Sequence, residues 1–81
     1  MTSIFVGNIS WKATDTDLKQ LFESYGVVNS ARIITDRDSG KSRGYGFVEM
    51  NDSDATEAIN NLNGKELLGR PLVVNRAKPR A

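Results

Sequence analysis

Residues 43–50 read Arg-Gly-Tyr-Gly-Phe-Val-Glu-Met. Successive side chains of a strand point to opposite faces, so a strand here sends Tyr45 and Phe47 one way and Val48 and Met50 the other. Both faces then need cover. The aliphatic side requires a core, and the aromatic side requires something flat, because two rings turned away from the core leave an exposed apolar patch.

Upstream, Asp36-Arg37-Asp38-Ser39-Gly40-Lys41-Ser42 has the turn chemistry of a long hairpin loop, and residues 28–35 are strand-like, so the octet is the second strand of a hairpin. Further upstream the period changes to that of a helix. Leu18, Leu21, Phe22 and Tyr25 fall at i, i+3, i+4 and i+7, with Thr14 as N-cap, Asp17 three residues on, and Gly26 as the stop. Residues 4–9 alternate as a first strand, with Ile4 and Val6 inward and Phe5 outward. Downstream, Ala55, Ala58, Ile59 and Leu62 form a second helical stripe, with capping candidates at Asn51 to Ser53 and an Asn63-Gly64 close. A last strand over 71–76 puts Leu72 and Val74 inward and leaves Val73 and Asn75 on the side of the rings.

The order is βαββαβ. Two βαβ units joined by a hairpin predict an α+β, ferredoxin-like sandwich: a four-stranded antiparallel sheet with both helices on one face. The first and third strands are then central neighbours, and Phe5 joins Tyr45 and Phe47 in one platform. A nucleobase is the flat partner that such a platform suits. One domain over 1–81 is expected, with a core of about 3–77 and a short basic tail, 78–81.

The formal charge is only +1, but it is unevenly spread. Residues 49–57 carry Glu49, Asp52, Asp54 and Glu57 without a base, whereas residues 65–80 carry Lys65, Arg70, Arg76, Lys78 and Arg80 against Glu66. A polyanionic partner is therefore compatible with the low net charge. Cysteine and histidine are absent, which removes disulfides, thiolate nucleophiles, zinc-finger ligands and imidazole bases. No enzyme, cofactor or metal is expected. The first residues hold no basic stretch followed by a long apolar run, which predicts no secretory signal or membrane span and a cytoplasmic chain.

Ile4-Phe5-Val6-Gly7-Asn8-Ile9 resembles the RNP2 hexamer, and residues 43–50 resemble the RNP1 octamer, of RNA recognition motif domains. Nearly the whole chain takes part, most like the short bacterial and cyanobacterial RNA-binding proteins and the corresponding domain of plant glycine-rich RNA-binding proteins. The resemblance implies a monomeric chain that binds single-stranded RNA, with single-stranded DNA as a further candidate, and acts as an RNA chaperone or post-transcriptional regulator. It implies that Phe5 and Tyr45 stack under bases, Phe47 packs against sugars and Arg43 pairs with a phosphate. Met50 stands where the octamer usually has an aromatic; on the core side this alters packing and not stacking.

Two stacked bases supply roughly 2 to 6 kcal/mol with little sequence preference. Choice among bases must come from elsewhere, and Asn75, Arg76, Ala77 and Lys78 on and after the last strand are the candidate readers. Arg32, Arg37 and Lys41 are placed to attract phosphate or simply to be solvated. Glu49 shares the ring side. Trp11, in the turn after the first strand, reads as a hydrophobic staple or loop anchor ahead of a base contact. Gly44 and Gly46 do not fit a phosphate-binding glycine loop, which opens a helix; inside a strand they let something approach closely. Three other readings stay open at this level. A neighbouring subunit could cover the rings, the fold could serve as a protein-interaction module, or it could be an acylphosphatase-like enzyme, although no Arg/Asn phosphate cradle is recognisable near the end of the first strand.

Overall fold

A computed structural model describes residues 1–77. Strand β1 (Thr2–Gly7) leads to helix α1 (Asp15–Glu23), the hairpin β2 (Val28–Thr35) and β3 (Ser42–Met50), helix α2 (Asp52–Leu62), the short strands β4 (Glu66–Leu67) and β5 (Arg70–Pro71), and β6 (Val73–Arg76). The main sheet is antiparallel in the order β2-β3-β1-β6, so β1 and β3 are its centre. This is the ferredoxin-like sandwich that the two helical and two hairpin periods require. Among the described residues, no helix is long and apolar enough to cross a membrane.

The core lies between one sheet face and the two helices. Ile4, Val6, Val48, Met50 and Val74 come from the strands, and Leu18, Phe22, Ala55, Ala58 and Leu62 from the helices; all are buried. Met50 is fully buried, as its position in the alternation requires. Helix α1 starts with a reciprocal capping box: the Asp17 N–H donates to Thr14 Oγ1 (3.2 Å) and the Thr14 N–H donates to Asp17 Oδ2 (3.0 Å). It ends before Tyr25, because the Tyr25 N–H reaches back only three residues, to Phe22 O (3.0 Å), and tightens the last turn. Tyr25 still packs against the core.

The expected strand over 71–76 is divided. Pro71 pairs with Glu66 in a separate two-stranded ribbon, and β6 starts at Val73. The cause is Leu72, whose backbone is satisfied by the turn that follows α2: its N–H donates to Lys65 O (3.0 Å) and its carbonyl accepts from Gly64 N–H (2.7 Å). The inward alternation of Leu72 and Val74 survives the break. Strand β1 likewise ends two residues before the expected Ile9, because Asn8 turns to a φ of +56°.

Candidate nucleic-acid interface

Residues facing each other across an antiparallel ladder share a face of the sheet. Arg32 on β2 faces Phe47 on β3, Phe47 faces Phe5 on β1, and Phe5 faces Asn75 on β6. These four form one row across the sheet, on the side opposite the core. A second row, Ser30, Glu49 and Ser3, runs beside it, and the Ala77 N–H closes it by donating to Ser3 O (2.9 Å). Tyr45 stands one step along β3 on the other side of the first row.

The three rings form a nearly equilateral triangle. Phe5 lies 6.0 Å from Tyr45 with planes 26° apart and 6.0 Å from Phe47 at 67°, while Tyr45 and Phe47 are 6.1 Å apart at 86°. All three are half-buried, each leaning on the other two and leaving part of its surface to solvent. Two glycines nearby leave room for different neighbours. A methyl group on Gly7 would sit 2.8 Å from Phe5 Cε2, so the Phe5 ring lies across a position that only glycine leaves clear. A methyl group on Gly46 would come to 2.4 Å from the Arg32 carbonyl oxygen, so the close approach expected at this glycine is that of β2 itself.

Not every expected residue reaches this face. Arg76 faces Ile4 in the ladder, which puts it on the helical side, and its Nη2 donates to Thr56 Oγ1 of α2 (3.1 Å). The alternation that carries Val74 inward carries Arg76 with it. Lys78 lies outside the described residues. Lys41 and Arg37 are exposed in the β2–β3 loop. That loop is organised around Asp36, whose Oδ1 accepts from the Asp38 N–H (2.8 Å) and the Ser39 N–H (3.1 Å). These backbone donors, with Arg43 adding a weaker attraction, hold the Asp36 carboxyl below the ordinary aspartate range.

Trp11 does not staple the first turn. The residue is 71% exposed, with the Lys12 ammonium 5.5 Å from the ring centroid. It borders an open cleft at the end of the sheet beyond Tyr45, lined also by Asn8, Ile9, Ser42, Arg43, Gly44 and Arg70. An Arg/Asn pair stands at the end of the first strand after all. Arg70 Nη2 and Nε donate to Asn8 Oδ1 (2.6 and 3.2 Å), and Asn8 Nδ2 donates to Pro71 O (2.7 Å). The two residues are 62 apart in sequence, and only the unforeseen β4–β5 turn, with Leu68 at φ +51° and Gly69 at φ +84°, brings them together.

The profile of the RNA recognition motif family matches residues 4–73. A Nostoc sp. protein named as the RNA-binding protein RbpD is 51% identical over 79 residues, which are 96% of this chain and 84% of the relative. The mitochondrial glycine-rich RNA-binding protein 4 of Arabidopsis thaliana is 47% identical over 81 residues, covering 99% of this chain and 60% of the relative. Among solved structures, an Sxl-lethal protein/RNA complex is similar with a TM-score of 0.92 at 34% identity, over 99% of this chain and 48% of that one. With its two motifs on the central strands of the sheet and nearly all of its length matched, the chain belongs to the RNA recognition motif family.

Proposed function

We propose that this chain binds single-stranded RNA on the open face of its sheet and acts as an RNA chaperone or post-transcriptional regulator. The observation that carries this reading is the ring triangle set in a row with Arg32 and Asn75. A duplex hides the faces of its bases, whereas an unpaired strand offers them to rings of this kind.

The register supports a different division of labour from the one implied by the resemblance. Phe5 and Phe47 face each other in the middle of the row, so bases stacked there have Asn75 beside one and Arg32 beside the other. Tyr45, offset along β3, is better placed against sugar. Asn75 carries both an amide donor and a carbonyl acceptor and can read a base edge, while Arg32 and Arg43 meet phosphates. A single copy fits this reading: one outward N–H on each outer strand, Ile33 on β2 and Val74 on β6, is met by a side chain, which disfavours sheet extension at those points.

Titration of fluorescent oligoribonucleotides against the wild type and a Phe5→Ala/Phe47→Ala variant tests the reading. Loss of two stacking surfaces is expected to weaken binding at least about thirtyfold. Unchanged affinity would sink it. The same oligonucleotides in deoxy form measure the contribution of the 2′-hydroxyl.

A further inference from the structure

Apart from Arg43, the cleft beyond Tyr45 is not used by the ring face, yet it combines three features that point to one kind of ligand. The first is Trp11, the chain's single tryptophan, a residue 71% exposed. Apart from the Lys12 ammonium 5.5 Å from its centroid, the indole is a flat apolar surface left to solvent. The second is the pair Arg43 and Arg70, which line the same cleft; among the described residues neither has a carboxylate within salt-bridge distance. The third is pre-organisation. Arg70 is held by two hydrogen bonds to Asn8, which is itself anchored on Pro71 O, and the fork keeps N–H groups that Asn8 does not use. A positioned guanidinium loses less entropy when it meets an anion than a free one does.

A flat apolar surface beside two cations suits a base with its phosphate. The cleft, about 360 Å³ in volume, is on the scale of small-ligand sites. It also adjoins the platform, because Gly44 and Arg43 directly precede Tyr45 on β3 and Asn8 follows Gly7 on β1. We propose that the Trp11–Arg43–Arg70 cleft takes one further nucleotide of the strand bound on the rings, its base against the Trp11 indole and its phosphate between the two guanidinium groups. Asn8 is a positioning residue: it touches no ligand and aims Arg70. The assignment rests on the ring face as the RNA platform and extends the bound strand at its Tyr45 end.

Trp11 is its own reporter, since all tryptophan emission from this chain comes from the cleft. The intact protein is titrated with 5′-fluorescein oligouridylates of two, four and six nucleotides, and label anisotropy and tryptophan emission are read together. The dinucleotide is expected to raise anisotropy with little change in Trp11 emission. The longer strands are expected to quench Trp11 and to bind roughly five- to a hundredfold tighter, the range that one added stacked base supplies. Trp11→Ala and Arg70→Gln are expected to remove that gain while leaving dinucleotide affinity and the melting temperature unchanged, and Trp11→Phe is expected to restore most of it. Saturating anisotropy on long strands with unaltered Trp11 emission, and no loss in either variant, overturns the cleft and leaves the platform standing. Absence of any anisotropy change overturns both.

Discussion

At the scale of single residues, the site depends as much on what is missing as on what is present. Phe5 lies over Gly7, and the two residues stand two apart on the same face of β1, so a Cβ at Gly7 competes with the ring for one place. The Gly7 backbone is not in the left-handed region, so alanine is tolerated there, and the ring is what must move. Gly7→Ala is expected to keep the fold and to weaken oligonucleotide binding by about as much as losing one stacked base, roughly 1 to 3 kcal/mol; unchanged anisotropy titrations would contradict this. Gly46→Ala is different, because the obstacle is the main chain of β2. There the expected effect is on stability, a loss of about 1 to 3 kcal/mol from forced overpacking, measured by denaturant unfolding. Phe5, Tyr45 and Phe47 were legible in the sequence because alternation alone sorts them from the core. Gly46 was legible only as room for an unnamed neighbour, since nothing local says whether a ring, a backbone or a ligand fills it, and Gly7 carried no such signal. Arg76 was named as a candidate reader for its basic character, and its parity with Val74, which turns its side chain to the helical side, was not read.

Secondary-structure elements bring a second kind of contact into view. The edge strands β2 and β6 leave N–H groups outside the ladder, and each is met by one acceptor: the Ile33 N–H donates to Asp15 Oδ1 (2.7 Å) and the Val74 N–H to Asn63 Oδ1 (3.0 Å). Asp15 opens α1 and Asn63 closes α2, so each helix is pinned by one end to the edge it covers. Removing either acceptor leaves a part-buried donor unpaired, which costs about 1 to 3 kcal/mol. Asp15→Ala and Asn63→Ala are each expected to lower the melting temperature, by about 4 to 8 °C per kcal/mol for a domain of this size. Neither link can be read from periodicity, because the pairs are 18 and 11 residues apart and depend on the final packing. The same limit hid the β4–β5 ribbon, whose strands are two residues long and too short to show any period. At the β2–β3 loop the sign of an acid effect follows from Asp36. Its carboxylate is favoured in the fold by the Ser39 and Asp38 N–H donors, so its contribution is present above the ordinary value near 3.8 and is lost as pH falls through its lower folded value. A side-chain NMR titration is expected to place the Asp36 midpoint below 3.8.

Across the whole molecule, the +1 net charge conceals two faces. The first turns of both helices are acidic, with Asp15 and Asp17 on α1 and Asp52 and Asp54 on α2, whereas Arg32 flanks the rings and Arg43 and Arg70 line the cleft at their end. A polyanion approaching from the ring side meets these cations, whereas on the helical side the acidic helix starts stand alongside Arg76 and Lys19. If about three phosphates are neutralised, log K against log salt has a slope near −2 for a single strand, at about −0.7 per phosphate. Glu49 is the exception on the ring face, a carboxylate between Ser3 and Ser30, so Glu49→Gln is expected to tighten binding at low salt and to matter less as salt rises. Arg32 gives the sharper test. It stands opposite Phe47 at the end of the central row, where it can meet either a phosphate or the edge of the stacked base. Our assignment to phosphate requires that Arg32→Gln flatten the salt slope by about 0.7 and weaken oligouridylate and oligoadenylate alike, because a phosphate contact is blind to the base. A loss confined to one of the two homopolymers, with the slope unchanged, would instead make Arg32 a reader of bases.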